Sequence, residues 1–238
     1  MANNFSCMAV TRCALTFRRV LATVLSAAFL SGCIAARSEV SGTFNQPGEK
    51  NSGAEKVSVF FHFRNLAQEH GFDSIPKLHA YGVKDFDNLF RDALPEISNI
   101  TLYNTFIESP QDVNNLKRRQ ELENFKSSHD YTFQIEFLEE SSFKQQCFSG
   151  TISLLSLTVI PMPYTWEYTI TARVMDKNGG DIRSYQRKAT LDNWVQGLLI
   201  FAYPFYPLEG KREEIYSESL HDIFRQIETE KLLRKRSL

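Results

Sequence analysis

The run Lys56-Val57-Ser58-Val59-Phe60-Phe61-His62-Phe63 decides how the rest of the chain must be arranged. It is nearly continuous in apolar character. A strand with one wet face alternates, whereas a strand covered on both faces reads as an unbroken apolar run. The run therefore predicts a central strand, which needs a strand on each side. After it, residues 64–82 read as a long connection with turns at Gly71 and Pro76. Phe86, Leu89, Phe90, Ala93 and Leu94 then recur at the spacing of a helix lying on a core, with Asp85 placed to cap it and Pro95 to end it. Ile100 to Ile107 is rich in β-branched and aromatic residues and predicts a second strand. Ser109-Pro110-Gln111-Asp112 has the form of a helix start: a cap, a first-turn proline, and an acid three residues after the cap. That helix runs to about Phe125, with Val113, Leu116 and Phe125 as buried candidates.

Tyr131, Phe133, Ile135 and Phe137 alternate strictly with polar residues, giving a third strand. Tyr164 to Met175 alternates again. Asp176-Lys177-Asn178-Gly179-Gly180 carries the strongest short hairpin signal, and Ile182 to Thr190 returns as its partner, with charge on its outer face. Lys211 to about Arg234 is the last helix, with Tyr216, Leu220, Ile223, Phe224, Ile227 and Lys231 along one face. The expected fold is α+β: a single mixed sheet of five or six strands, with three helices packed mainly on one face. The order is strand-helix-strand-helix-strand, hairpin, helix. Two apolar stretches, 151–163 and 194–207, stand outside this pattern. Neither reaches the roughly 20 apolar residues of a membrane span, and both contain proline. They flank the hairpin, so they should meet at the end of the sheet opposite Asn178-Gly179. Leu199, Phe201, Tyr203 and Phe205 are the candidate contact patch there, for a protein or a membrane.

Upstream of the first strand the chain changes character. Arg18-Arg19 precede a short apolar run, Val20 to Leu30, which closes on Leu30-Ser31-Gly32-Cys33. A basic start, a short apolar stretch and small residues before a cut site make a secretory signal. Leu-Ser-Gly-Cys resembles the lipobox of bacterial lipoproteins. The resemblance implies that Cys33 receives a diacylglyceryl thioether, becomes the first mature residue and is then N-acylated. The arginine pair also resembles a twin-arginine signal, but Phe17 stands where that pattern wants a polar residue, which favours the general secretory route. Ile34 follows the cysteine. In the bacterial families this resembles, an aspartate at that position retains the protein at the inner membrane, so outer-membrane placement facing the periplasm is expected. Residues 1–32 are then a signal peptide, 33–55 a polar flexible tether and 56–238 one domain.

Arg12, Arg18 and Arg19 leave with the signal, so the 27 basic residues fall to 24 against 28 acidic ones, a formal −4. That balance gives no reason to expect nucleic acid. Cys7 and Cys13 leave too and Cys33 is claimed by lipid, which leaves Cys147 alone and excludes an internal disulfide. Such a cysteine is expected as a small buried apolar residue. The five histidines show no zinc-site spacing. His70, His79 and Asp73 share one connection and form only a weak metal candidate, so no metal and no cofactor is expected. No Gly-x-Ser-x-Gly elbow or phosphate-cradling loop occurs. Catalytic residues are therefore expected to be none, and no three of His62, His70, His79, His129, His221 and the acids should converge in one pocket. The element order behind a lipidated tether is similar to that of several envelope families. These are the amino-terminal domain of the Tol–Pal propeller protein, the lipoprotein activators of peptidoglycan synthases, and the curli-secretion lipoprotein. The resemblance implies a membrane-anchored binding or assembly factor for an envelope protein or polymer. The alternatives are a lipid-handling protein, favoured if the apolar stretches line a cavity, and a hydrolase whose site forms only in the fold.

Overall fold

The computed structural model describes residues 35–46, 50, 53–80, 86–156, 160, 162–195 and 208–234. The fold is α+β, one mixed sheet of seven strands with four helices among the described residues. The strands are β1 (Ala35–Arg37), β2 (Val57–His70), β3 (Lys77–Leu78), β4 (Ile100–Glu108), β5 (Tyr131–Ser142), β6 (Met162–Asp176) and β7 (Asp181–Val195). The helices are α1 (Phe86–Ala93), α2 (Leu116–Ser128), α3 (Phe143–Leu155) and α4 (Leu208–Thr229). The sheet runs β1-β7-β6-β5-β2, and β2 then carries both β4 and β3 on its far edge. β4 pairs with its first half in parallel, and β3 with its second half antiparallel. β2 thus has a neighbour on each side, as its apolar run predicts, although it lies next to the sheet edge and not at its centre.

Both faces of β2 are covered, which is why its sequence does not alternate. Val57, Val59, Phe61 and Phe63 join Phe133, Ile135 and Phe137 of β5 and Ile170, Ala172 and Val174 of β6 in one core. α4 closes this core with Leu220, Ile223, Phe224 and Ile227, and α1 with Phe90 and Ala93. Phe61 sits at the centre, its ring 4.8 Å from Phe90 and 5.1 Å from Phe133. On the other face Phe60 stacks on Phe125 of α2 at 5.3 Å. The helices therefore divide. α1 and α4 cover one face and α2 the other, while α3 spans an end, in place of three helices mainly on one face.

Three further expectations are corrected. β2 extends to His70 and turns at Gly71 into β3, where a long connection was expected over 64–82. α2 starts six residues later than its start signal. Asp112 accepts from the N–H and hydroxyl of Ser109 around a single 3-10 turn, Asp112–Asn114. Asn115 then caps the helix by accepting from the N–H groups of Lys117 and Arg118. Val113 and Leu116 are consequently exposed, and only Phe125 packs inward as expected. Residues 35–41 are paired to the sheet edge, and Phe44 is tied to the last helix, where a flexible tether was expected over 33–55. Ala35, Ala36 and Arg37 pair with Asn193, Asp192 and Leu191 of β7, and Ser41 bridges Lys188. Arg37 binds Glu214 and Glu218 of α4 at 3.0 and 2.6 Å. The polar composition of this segment suits an edge as well as a tether.

Candidate functional site

The registers place five strand ends together. His70 lies opposite Ser142, Ser141 opposite Trp166, Met162 opposite Val195, and Ala35 opposite Asn193. The finish of β2, the finish of β5, the start of β6, the finish of β7 and the start of β1 therefore share one end of the sheet. α3 crosses this end. Its buried Ser149 donates to the Pro163 carbonyl at 3.0 Å, and Gln145 donates to the Thr165 hydroxyl at 3.2 Å.

Most of the exposed large apolar side chains gather here. Phe72 and Ile75 stand on the turn after β2, Phe143 and Phe148 on α3, and Trp194 at the finish of β7. Leu154 and Leu155 are 76% and 79% exposed, close to the exposed Ile160. Phe72 and Phe143 touch, their rings 6.2 Å apart. Single exposed apolar residues need no explanation, whereas their gathering at one end of the sheet makes that end a candidate contact surface. Cys147 lies in the middle of α3 and is exposed, so the expectation of a buried cysteine is corrected. The described parts of the stretches 151–163 and 194–207 lie at this end, opposite the Asn178-Gly179 turn. Leu199, Phe201, Tyr203 and Phe205, like Cys33, lie outside the described residues.

A second candidate is polar. α2 and the sheet face beneath it enclose a cleft of about 540 Å³. β2 supplies His62 and Arg64, which share a face because they are two residues apart. β4 supplies Glu108, which lies 3.0 Å from His62 Nε2 and 3.1 Å from Arg64 Nε. Arg64 reaches Glu136 of β5 on its other side at 2.7 Å. From α2, Arg118 lies over the Phe106 ring at 4.2 Å and binds Asp112. Since Glu108 accepts from Nε2–H, the Nδ1 of His62 carries the lone pair, and it meets no partner among the described residues. Burial pushes the His62 imidazole below its ordinary value, against the pull of Glu108. Burial alone would raise the Asp112 carboxyl. The Ser109 and Arg118 hydrogen bonds outweigh it and hold this carboxyl below the usual range.

Three of the other histidines form cross-links. His70 binds Glu140 at 2.8 Å and Asp73 turns to Lys77, so the candidate metal trio is not assembled. His129 joins the end of α2 to Asn104 of β4 at 3.0 Å. His221 of α4 lies 3.1 Å from Glu96 and 3.2 Å from Asp92, tying α4 to α1 and the turn after it. One imidazole between two carboxylates is a convergence that sequence spacing did not foresee, but it lies at the surface, with the Asp92 side chain 78% exposed, and not in a pocket. α3 was also missed. It carries no amphipathic stripe and has Gly150 in its middle, so neither periodicity nor propensity marks it.

No family model matches this chain, and no curated protein matches it. Among solved structures it is similar to the PelC dodecamer from Paraburkholderia phytofirmans in two crystal forms. One, of a point variant, superposes with a TM-score of 0.32 at 8% identity, over 80% of this chain and 96% of that chain. The other superposes with a TM-score of 0.29 at 8% identity and the same coverage. Likeness at this level bears neither on the fold nor on the function of this chain.

Proposed function

We infer that the chain is a lipid-anchored envelope protein, on the outer membrane facing the periplasm, that works by binding an envelope protein or polymer. The observation that supports this best is the position of Ala35. It opens β1 two residues after the lipobox cysteine, at the sheet end that carries the exposed apolar side chains. An anchor at Cys33 would put that end, and no other, against the bilayer. The cleft under α2 suits binding: its charged groups are already one another's partners, which presents fixed donors and acceptors to a polar ligand. Asp112 on its rim is held ionised, opposite to what a catalytic acid needs. A lipid-handling protein needs its apolar residues around a cavity, whereas Phe148, Leu154 and Leu155 face outward.

The test is metabolic labelling with a fatty acid. Cys33→Ala is expected to abolish incorporation and to leave the signal uncleaved. Incorporation at the wild-type level would end the lipoprotein reading.

A further inference from the structure

We propose that the apolar end of the sheet is itself a bilayer-contact surface, in which α3 and the β2–β3 turn enter the lipid interface beside the anchor and fix the orientation of the domain. This rests on the lipid-anchor reading and deepens it. Two residues of extended chain reach about 7 Å. An acylated Cys33 therefore cannot hold Ala35 farther than that from the headgroups, and Ala35 is hydrogen-bonded into the sheet. The β1 corner of that end is therefore held at the membrane surface.

What it presents there is chemically suited to lipid. Phe72, Ile75, Phe143, Phe148, Leu154 and Leu155 project from the turn after β2 and from α3. They are spread across the sheet end. β1 and β2 are separated by β7, β6 and β5, about 19 Å at the usual strand spacing. A planar surface can meet them all at once. α3 carries Lys144 and no acidic residue, so nothing on it opposes anionic headgroups. It has no amphipathic stripe, but its exposed aromatic and leucine side chains, beside the anchor, can dip below the headgroups. A second copy of the chain or residues 196–207 are the competing occupants. Neither accounts for the coincidence of this patch with the point where the chain leaves for Cys33.

Cys147 makes the proposal measurable. After cleavage at Cys33 and acylation it is the one free thiol of the mature chain, and it stands exposed on α3. The lipidated full chain is labelled there with bimane and reconstituted in phosphatidylcholine vesicles containing nitroxide-labelled lipid. The control carries Cys147→Ser and Asn178→Cys, with the label at the opposite end of the sheet. The Cys147 label is expected to be quenched by the lipid nitroxide and protected from aqueous iodide, and the Asn178→Cys label the reverse. In Phe148→Asp/Leu154→Asp/Leu155→Asp, lipid quenching at Cys147 should fall several-fold, while circular dichroism and fatty-acid incorporation stay unchanged. A Cys147 label as open to iodide as the control overturns the proposal. One shielded from both quenchers overturns it too, because protein then covers the patch. Unchanged quenching in the triple variant does the same. If the anchor reading fails, the chain takes up more than one label and no fatty acid. The quenching is then read with Cys7, Cys13 and Cys33 changed to Ser, where lipid quenching of Cys147 supports the surface and its absence overturns it.

Discussion

Asp222 is the residue that joins the N-terminal segment, β7 and α4 in one buried contact. It is 6% exposed, and its carboxylate accepts from Arg187 of β7 at 2.6 Å and from the Phe44 N–H at 3.0 Å. Arg187 is 4% exposed and also reaches Gln226. Removing one member of a buried pair leaves the other charged and unpaired, at a cost of about 3–5 kcal/mol. Asp222→Ala is therefore expected to lose that much stability in urea unfolding, and Arg187→Met/Asp222→Leu distinctly less. A hint of this pair is present in the sequence, because Arg187 falls in the inward register of Tyr185, Ala189 and Leu191. Its partner is 35 residues away on a helix, beyond the reach of any local pattern. His62 gives a second expectation. Its folded pKa lies below the unfolded value of 6.5, so the folded chain binds fewer protons than the unfolded one. Stability should fall as pH drops below about 6.5 and level off once pH passes the folded value. His62→Gln, which keeps a donor to Glu108 without titrating, should lose this component. Denaturation midpoints at pH 7.5 and 5.5 decide it: an equal drop in both proteins removes His62 as the cause.

Elements were legible in proportion to how much of their stability is local. The alternating strands β5, β6 and β7, the hairpin turn and the apolar stripe of α4 all follow from period and turn chemistry, and each is found where it was expected, although β5 and β7 run five residues past their expected ends. The limits fail where two signals compete. Ser109-Pro110-Gln111-Asp112 has the form of a cap, but it closes a single 3-10 turn, and Asn115 caps the helix. Asn115→Ala should then cost about 1 kcal/mol, measured by thermal or urea unfolding. α4 stops at Thr229, short of the expected Arg234, because Lys231 turns out of the helix with a φ of 51°. β1, with three residues, and β3, with two, are too short to carry a period at all. α3 is the instructive omission. Its apolar residues are not paid into a core, so no stripe distinguishes buried from exposed. Leu154→Gln/Leu155→Gln should accordingly change stability by no more than about 0.5 kcal/mol. A loss of several kcal/mol would mean that these leucines pack within the monomer.

For the whole molecule, the strand with a neighbour on each side, the partly parallel sheet and the α+β class follow from one apolar run and its neighbours. The division of helices between the two faces does not, because a strand buried on both sides reads the same whichever helix covers it. Nor does the site, since the sheet end is assembled from five strand ends set by register. Under the proposed anchor at Cys33, the fold would set a distance as well as an orientation. The 15 residues of β6 span about 50 Å, so a dye at Asn178→Cys should sit at a narrow, large distance from the bilayer in energy transfer to lipid acceptors. A glycine-serine insert of about 20 residues between Ile34 and Ala35 should broaden that distance without changing acylation or stability. There is also a mechanical side to β1. A load carried between membrane and domain enters along the strand and tries to slide β1 past β7. The Ser38–Thr190 and Ser41–Lys188 bonds, the Arg37 ion pairs and the Phe44–Asp222 clasp then share the strain at once and do not yield one by one. A single-molecule pull from Cys33 should meet its resistance at this seam, and Asp222→Ala should lower the rupture force before it alters any contact in the apolar core.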